Sequence, residues 1–196
     1  MRLSFKLWTA LVCAVAFSSQ SNASVVTYVY ESGGNVISVA SGTLDTSSLT
    51  YISTNVSGSA FNSGTGGFGI GSPASQPSDV YSGLTSFPTY LGSSVVSFAD
   101  SGSGNKFGMT NISGISLFVE AGFVSGGSIF STATYLGQTL SSMGLTTGSY
   151  LYNWASDSVT LKIGVSPVPL PATLPMLAAG MLGLGLWRRR KSSLVG

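Results

Sequence analysis

The chain has 196 residues, 26 of them glycine, and only 7% are charged. It has no histidine, which removes Ser-His-Asp and Cys-His catalysis and histidine metal sites together. Eight basic residues against six acidic ones give a net charge of +2, with no basic cluster in the middle of the chain of the kind nucleic acid requires.

Residues 1–23 have the layout of a secretory signal peptide. Arg2 and Lys6 form a basic start, Leu7 to Phe17 an apolar stretch, and Ser18 to Ala23 a polar end. Ser21-Asn22-Ala23 fits the small-x-small cleavage rule, so cleavage after Ala23 leaves Ser24 as the first mature residue. Cys13, the single cysteine, lies within the apolar stretch and serves as apolar filler there. The mature chain then has no disulfide and relies on packing.

The exported body is expected to span 24–166, long enough for one domain with a real core. Lys106 and Lys162 stand against Glu31, Asp45, Asp79, Asp100, Glu120 and Asp157, a net charge of −4. Ser, Thr and Gly supply 68 of its 143 residues, so its surface is neutral and rich in hydroxyls.

Strand signals follow in order. Val25 to Tyr30 is a β-rich run, and 35–44 and 49–56 are further candidates, with Gly33-Gly34-Asn35 as the first turn. Residues 57–79, rich in Gly and Ser with Pro73 and Pro77, are predicted to be a long mobile loop. Strands are predicted at 94–99 and 106–111, and Asp100 to Asn105 between them reads as a tight turn with a faint look of a calcium loop. Over 115–120, Phe118 breaks the alternation and implies burial on both faces. Strands at 128–136 and 149–155 come next. At 158–165, Val159, Leu161, Ile163 and Val165 alternate with Ser158, Thr160, Lys162 and Gly164, the pattern of a half-buried strand. These elements predict an all-β body, a single antiparallel β-sandwich of about eight or nine strands, flanked by a signal helix and a short transmembrane helix.

Few residues suggest chemistry. Asp100 and Glu120 are the acids a fold might pair for carboxylate catalysis, but their spacing does not require it. Gly64-x-Gly66-x-x-Gly69 matches a dinucleotide pattern literally, yet no preceding strand or following helix frames it. Asn55-Val56-Ser57 and Asn111-Ile112-Ser113 are sequons that a Ser-rich chain produces by chance. No motif calls for a metal or cofactor. Tyr150, Tyr152 and Trp154 share one strand face, where a row of rings either packs against the opposite sheet or forms a platform for sugars.

After the body, 167–191 has three parts. Pro167, Pro169, Pro171 and Pro175 keep the box 167–175 extended. Leu174 to Trp187 is a 14-residue uncharged run, about 21 Å of helix against a hydrocarbon core of about 30 Å. Arg188, Arg189, Arg190 and Lys191 place that end on the cytoplasmic side and the body outside.

This layout resembles the PEP-CTERM sorting signal of Gram-negative bacteria, a Pro-rich box, a short transmembrane helix and an Arg-rich end. Here the box is Val168-Pro169-Leu170-Pro171-Ala172-Thr173-Leu174-Pro175, with Leu170 where the name-giving motif has Glu. The stretch Met143 to Trp154, followed by Asp157 to Gly164, is similar to a closing hairpin of such exoproteins. The resemblance implies secretion, a transient stay in the inner membrane with the body in the periplasm, and removal of the tail by an exosortase, a membrane cysteine transpeptidase-like enzyme. The expected product is a non-enzymatic surface or extracellular-matrix protein associated with exopolysaccharide or biofilm matrix. The alternative is a polysaccharide-binding module that uses the Tyr150, Tyr152 and Trp154 face.

Overall fold

The computed structural model describes residues 24–167. The expected signal helix, the expected transmembrane helix, Ser21, Ala23 and the sorting residues from Val168 onward lie outside the described residues. Among those described there is no α-helix, and none is therefore long and apolar enough to cross a membrane.

Thirteen strands form two sheets. The first has the order β12 (Gly148–Asn153), β13 (Ser158–Ile163), β1 (Ser24–Ser32), β2 (Asn35–Leu44), β11 (Gly127–Tyr135) and β8 (Ser101–Gly104). The second has the order β3 (Thr50–Ser57), β6 (Gln76–Ser82), β10 (Ser116–Glu120), β9 (Phe107–Thr110), β5 (Gly67–Ile70), β4 (Ala60–Asn62) and β7 (Val96–Phe98). Both sheets contribute to one hydrophobic core, an arrangement consistent with a β-sandwich.

Period-2 alternation builds the first sheet. Val25 and Val29 on β1, and Val159, Leu161 and Ile163 on β13, are buried while their neighbours are not. The β1–β2 turn needs φ above zero at both central residues, and Gly33 (57°) and Gly34 (77°) supply it without a Cβ penalty.

Several expectations are corrected. Among the described residues the strands number thirteen rather than eight or nine. The predicted mobile loop 57–79 contains β4, β5 and the start of β6, and Gly67 to Ile70 are all buried. Gly67 and Gly69 there mark close approach of neighbouring strands: a Cβ on the first would crowd the Met109 carbonyl, and one on the second the Phe118 ring. The predicted tight turn at 100–105 contains β8, an edge strand paired with β11. The fold is not purely antiparallel, because β1 runs parallel to β13, with Val25 opposite Val159 and Val29 opposite Ile163. Alternation reveals which face of a strand is buried, but not the direction of the strand beside it.

The sheets meet through aromatic rings. Tyr135 of β11 packs edge-on to Phe61 of β4 at 5.7 Å between centroids, and Tyr152 of β12 packs on Phe68 of β5 at 5.4 Å. Phe61 and Phe68 stack at 5.8 Å, and Phe107 closes on Phe68 at 6.0 Å. The two phenols differ. Tyr152 donates to the Gly66 carbonyl at 2.7 Å, whereas the Tyr135 hydroxyl is buried without a partner. Burial raises the pKa of both above the ordinary tyrosine value.

Tyr135→Phe is therefore expected to increase the unfolding free energy by about 1 kcal/mol, since it removes an unpaired buried hydroxyl and keeps the ring. Tyr152→Phe is expected to lower it by about 1–2 kcal/mol, because the Gly66 carbonyl loses its donor. Urea denaturation at neutral pH checks both. The tyrosine contribution is complete below the unfolded-state pKa, near 10, and is lost as pH rises above it, so each substitution flattens the alkaline fall in stability.

Candidate functional site

The aromatic row predicted on one face of β12 divides by depth. Tyr152 is fully buried in the ring cluster and Trp154 is 3% exposed. Tyr150 is partly covered, and its hydroxyl donates to the Thr146 carbonyl at 2.9 Å. Two of the three rings have no face open to a sugar; the row packs inward, and a platform here would be reduced to Tyr150.

Trp154 also belongs to a polar clasp that joins three loops. Its indole Nε1 donates to the Asp45 carbonyl at 2.8 Å, and the Asp157 carboxylate accepts from the Asp45 amide at 2.7 Å and the Ser158 amide at 2.6 Å. Asp45 Oδ1 accepts from the Ser47 amide and from the Ser125 hydroxyl, both at 2.8 Å. The environments push the two carboxyls apart. Burial raises the Asp157 pKa against those hydrogen bonds, while hydrogen bonds from Ser47 and then Ser125 lower that of Asp45.

The other candidate acids also hold turns. Asp100 Oδ2 accepts from the Leu136 amide at 2.8 Å, and Glu120 Oε2 accepts from Asn105 Nδ2 at 3.3 Å. Among the described residues no three of His, Cys, Asp and Glu gather in a way that could hold a metal ion. Gly64 and Gly66 lie in the β4–β5 turn and Gly69 lies on β5. The sequon residues Asn55 and Asn111 are exposed, and Asn55 Nδ2 donates to Ser53 Oγ at 3.1 Å.

Sequence reasoning missed an open cleft of about 730 Å³ on the outer face of the second sheet. Register shows how it forms. Phe118 of β10 lies opposite Gly108 of β9, which lies opposite Gly69 of β5. Beyond them Ala60 of β4 lies opposite Phe98 of β7. Two glycines and an alanine thus leave a trough between the Phe118 and Phe98 positions. The Phe118 ring fills the space above the glycines: a Cβ on Gly69 would meet its Cζ at 2.9 Å, and one on Gly108 would come closer still. Asn62, Thr110 and Ser116 face outward in the adjacent row.

The lining contains nine hydroxyl or amide side chains and no Asp, Glu, Lys or Arg. Ile52, Val56, Val96, Phe98 and Ile112 stand at the mouth, and each is more than half exposed. The Phe118 signal, an aromatic out of phase with its strand, was present in the sequence; the facing glycines were not recognisable without the register.

Near this sheet, Lys106 is 0% exposed. Its ammonium donates to Ser59 Oγ at 3.0 Å and to the Ser72 carbonyl, and burial lowers its pKa. Ser59 in turn donates to the Gly71 and Ser72 carbonyls at 3.0 and 2.9 Å. With both side chains covered, this amine and hydroxyl fasten the segment 71–72 rather than meet a substrate.

Comparison of the chain with protein families, with curated proteins and with solved structures gave no match.

Trp154→Ala is expected to cost about 3–5 kcal/mol, since it empties a buried aromatic site and leaves the Asp45 carbonyl without the indole donor. Denaturation followed by circular dichroism measures this. An unchanged melting temperature together with lost polysaccharide retention would overturn the packing role of this ring.

Proposed function

We propose that this is an exported, non-enzymatic surface or extracellular-matrix protein, held briefly at the inner membrane and released by an exosortase. The observation that carries the proposal is the three-part segment 167–191: a Pro-rich box, a short apolar run and the cluster Arg188-Arg189-Arg190-Lys191. A 14-residue run is too short for a comfortable span, which suits temporary residence. The cations orient it with the body outside.

The body is compatible with such a life. Strand β13 ends at Ile163, just before the Pro-rich box. With no cysteine after residue 13, the fold has nothing to lose or mispair in an oxidising compartment. A sparse charge pattern and a surface rich in hydroxyls suit a hydrated, neutral matrix better than an ionic partner.

Intact mass spectrometry of the protein from its native host tests the proposal. The expected N-terminus is Ser24, and the expected C-terminus falls near 166–173. Pro169→Ala with Pro171→Ala is expected to leave the protein uncut in the membrane, because the box loses its rigid extended shape. Neutral residues at 188–191 are expected to abolish processing through lost orientation. Surface protein that still carries Gly196 would replace the sorting proposal with a permanent anchor, and a start at Met1 would replace signal cleavage with a retained one.

A further inference from the structure

We infer that the outer-face cleft of the second sheet is a binding site for a neutral saccharide chain. The inference rests on the body alone and is independent of the sorting proposal.

The chemistry of the lining selects the ligand class. With no charged side chain in it, the cleft offers an anion or cation nothing to offset its desolvation. Ser78 and Ser116 are buried and Ser57 bonds to Ser78, but Asn55 and Ser113 are exposed and Asn62 and Thr110 half-buried, and a lipid's hydrocarbon would cover these four without hydrogen bonds. A peptide laid on this face fares little better. The trough is floored by β10, β9, β5 and β4, interior strands whose backbone groups are engaged in ladders with neighbours on both sides. Peptides gain affinity from free strand edges, which this floor lacks.

A sugar ring meets both demands. Its hydroxyls point outward toward groups such as Asn62, Thr110 and Asn55, and its C–H faces suit an aromatic ring. Phe98, 74% exposed on the edge strand β7, is the ring placed to stack. Phe118, 7% exposed, lies over Gly69 and Gly108 in the space a Cβ on either would need, and bounds the trough opposite Phe98. The trough crosses several strands and is open to solvent, so it fits a stretch of polymer rather than an enclosed monosaccharide.

The test is calorimetric titration of the full chain in a non-glycosidic detergent. The probes are cellohexaose, laminarihexaose and mannohexaose, with hexagalacturonic acid as the charged counterpart. At least one neutral hexasaccharide is expected to bind, and hexagalacturonic acid more weakly. Phe98→Ser and Thr110→Asp are each expected to weaken that binding by about tenfold or more. Leu151→Ser, at an exposed position on the other sheet, is expected to leave it unchanged. Phe98 is largely exposed, so its loss does not threaten folding, and an unchanged melting temperature checks this. Failure of all three neutral probes, tighter binding of the acid, or wild-type affinity in both cleft variants would overturn the assignment. So would a dimer in sedimentation that Phe98→Ser dissolves, which would give the face to a second copy of the chain.

Discussion

The contact on which the fold depends is the aromatic cluster between the sheets. Tyr135 and Tyr152 enter from the first sheet, and Phe61 and Phe68 meet them from the second. The described chain has no cysteine and therefore no covalent brace, and nearly half of the body consists of residues too small or polar to contribute much apolar area. A few large rings must then supply a disproportionate share of the burial that holds two sheets together. Two of them, Phe61 and Phe68, come from β4 and β5, three- and four-residue strands too short to hold their place alone. The rings anchor the short strands, and the ladders of those strands position the rings.

The same economy shapes the outer face. Gly69 and Gly108 leave room for Phe118 to lie across neighbouring strands, so a single ring takes the place of the layer of side chains that a typical sheet would carry there. The inner and outer faces thus use residues of opposite size for different ends. Bulky rings inside give cohesion, and missing side chains outside leave room. The buried ammonium of Lys106 adds a polar fastening to the segment at 71–72 without a carboxylate partner in its hydrogen bonds, at the cost of a desolvated charge that lowers its pKa.

Closure of the body follows a similar logic. β1 and β13, from opposite ends of the described chain, lie side by side in the first sheet and bury one row of Val, Leu and Ile. Nearby, Asp45, Ser125 and Asp157 bind one another's loops through backbone amides and hydroxyls. A domain without disulfides gains from having both ends of its described chain inside a sheet, where fraying costs ladder hydrogen bonds and buried surface.

By itself the sequence determined the all-β class, most of the long strands and the three-part segment that suggests sorting. Each of these is a local pattern: alternation at Val159, Leu161 and Ile163, paired glycines at 33–34, and an ordered run of prolines, apolar residues and cations. Tertiary structure decided the remainder. Period 2 places Tyr150, Tyr152 and Trp154 on one face, but only the opposing sheet makes that face an interior. It says nothing of the direction of β13 beside β1. The strands β4, β5 and β8 carry little local β propensity, being short and rich in Gly, Ser and Asn, and they exist because partners distant in the chain complete their hydrogen bonds. The cleft is the extreme case. It is made of side chains that are absent, and their absence acquires meaning only when register brings Gly69, Gly108 and Phe118 together.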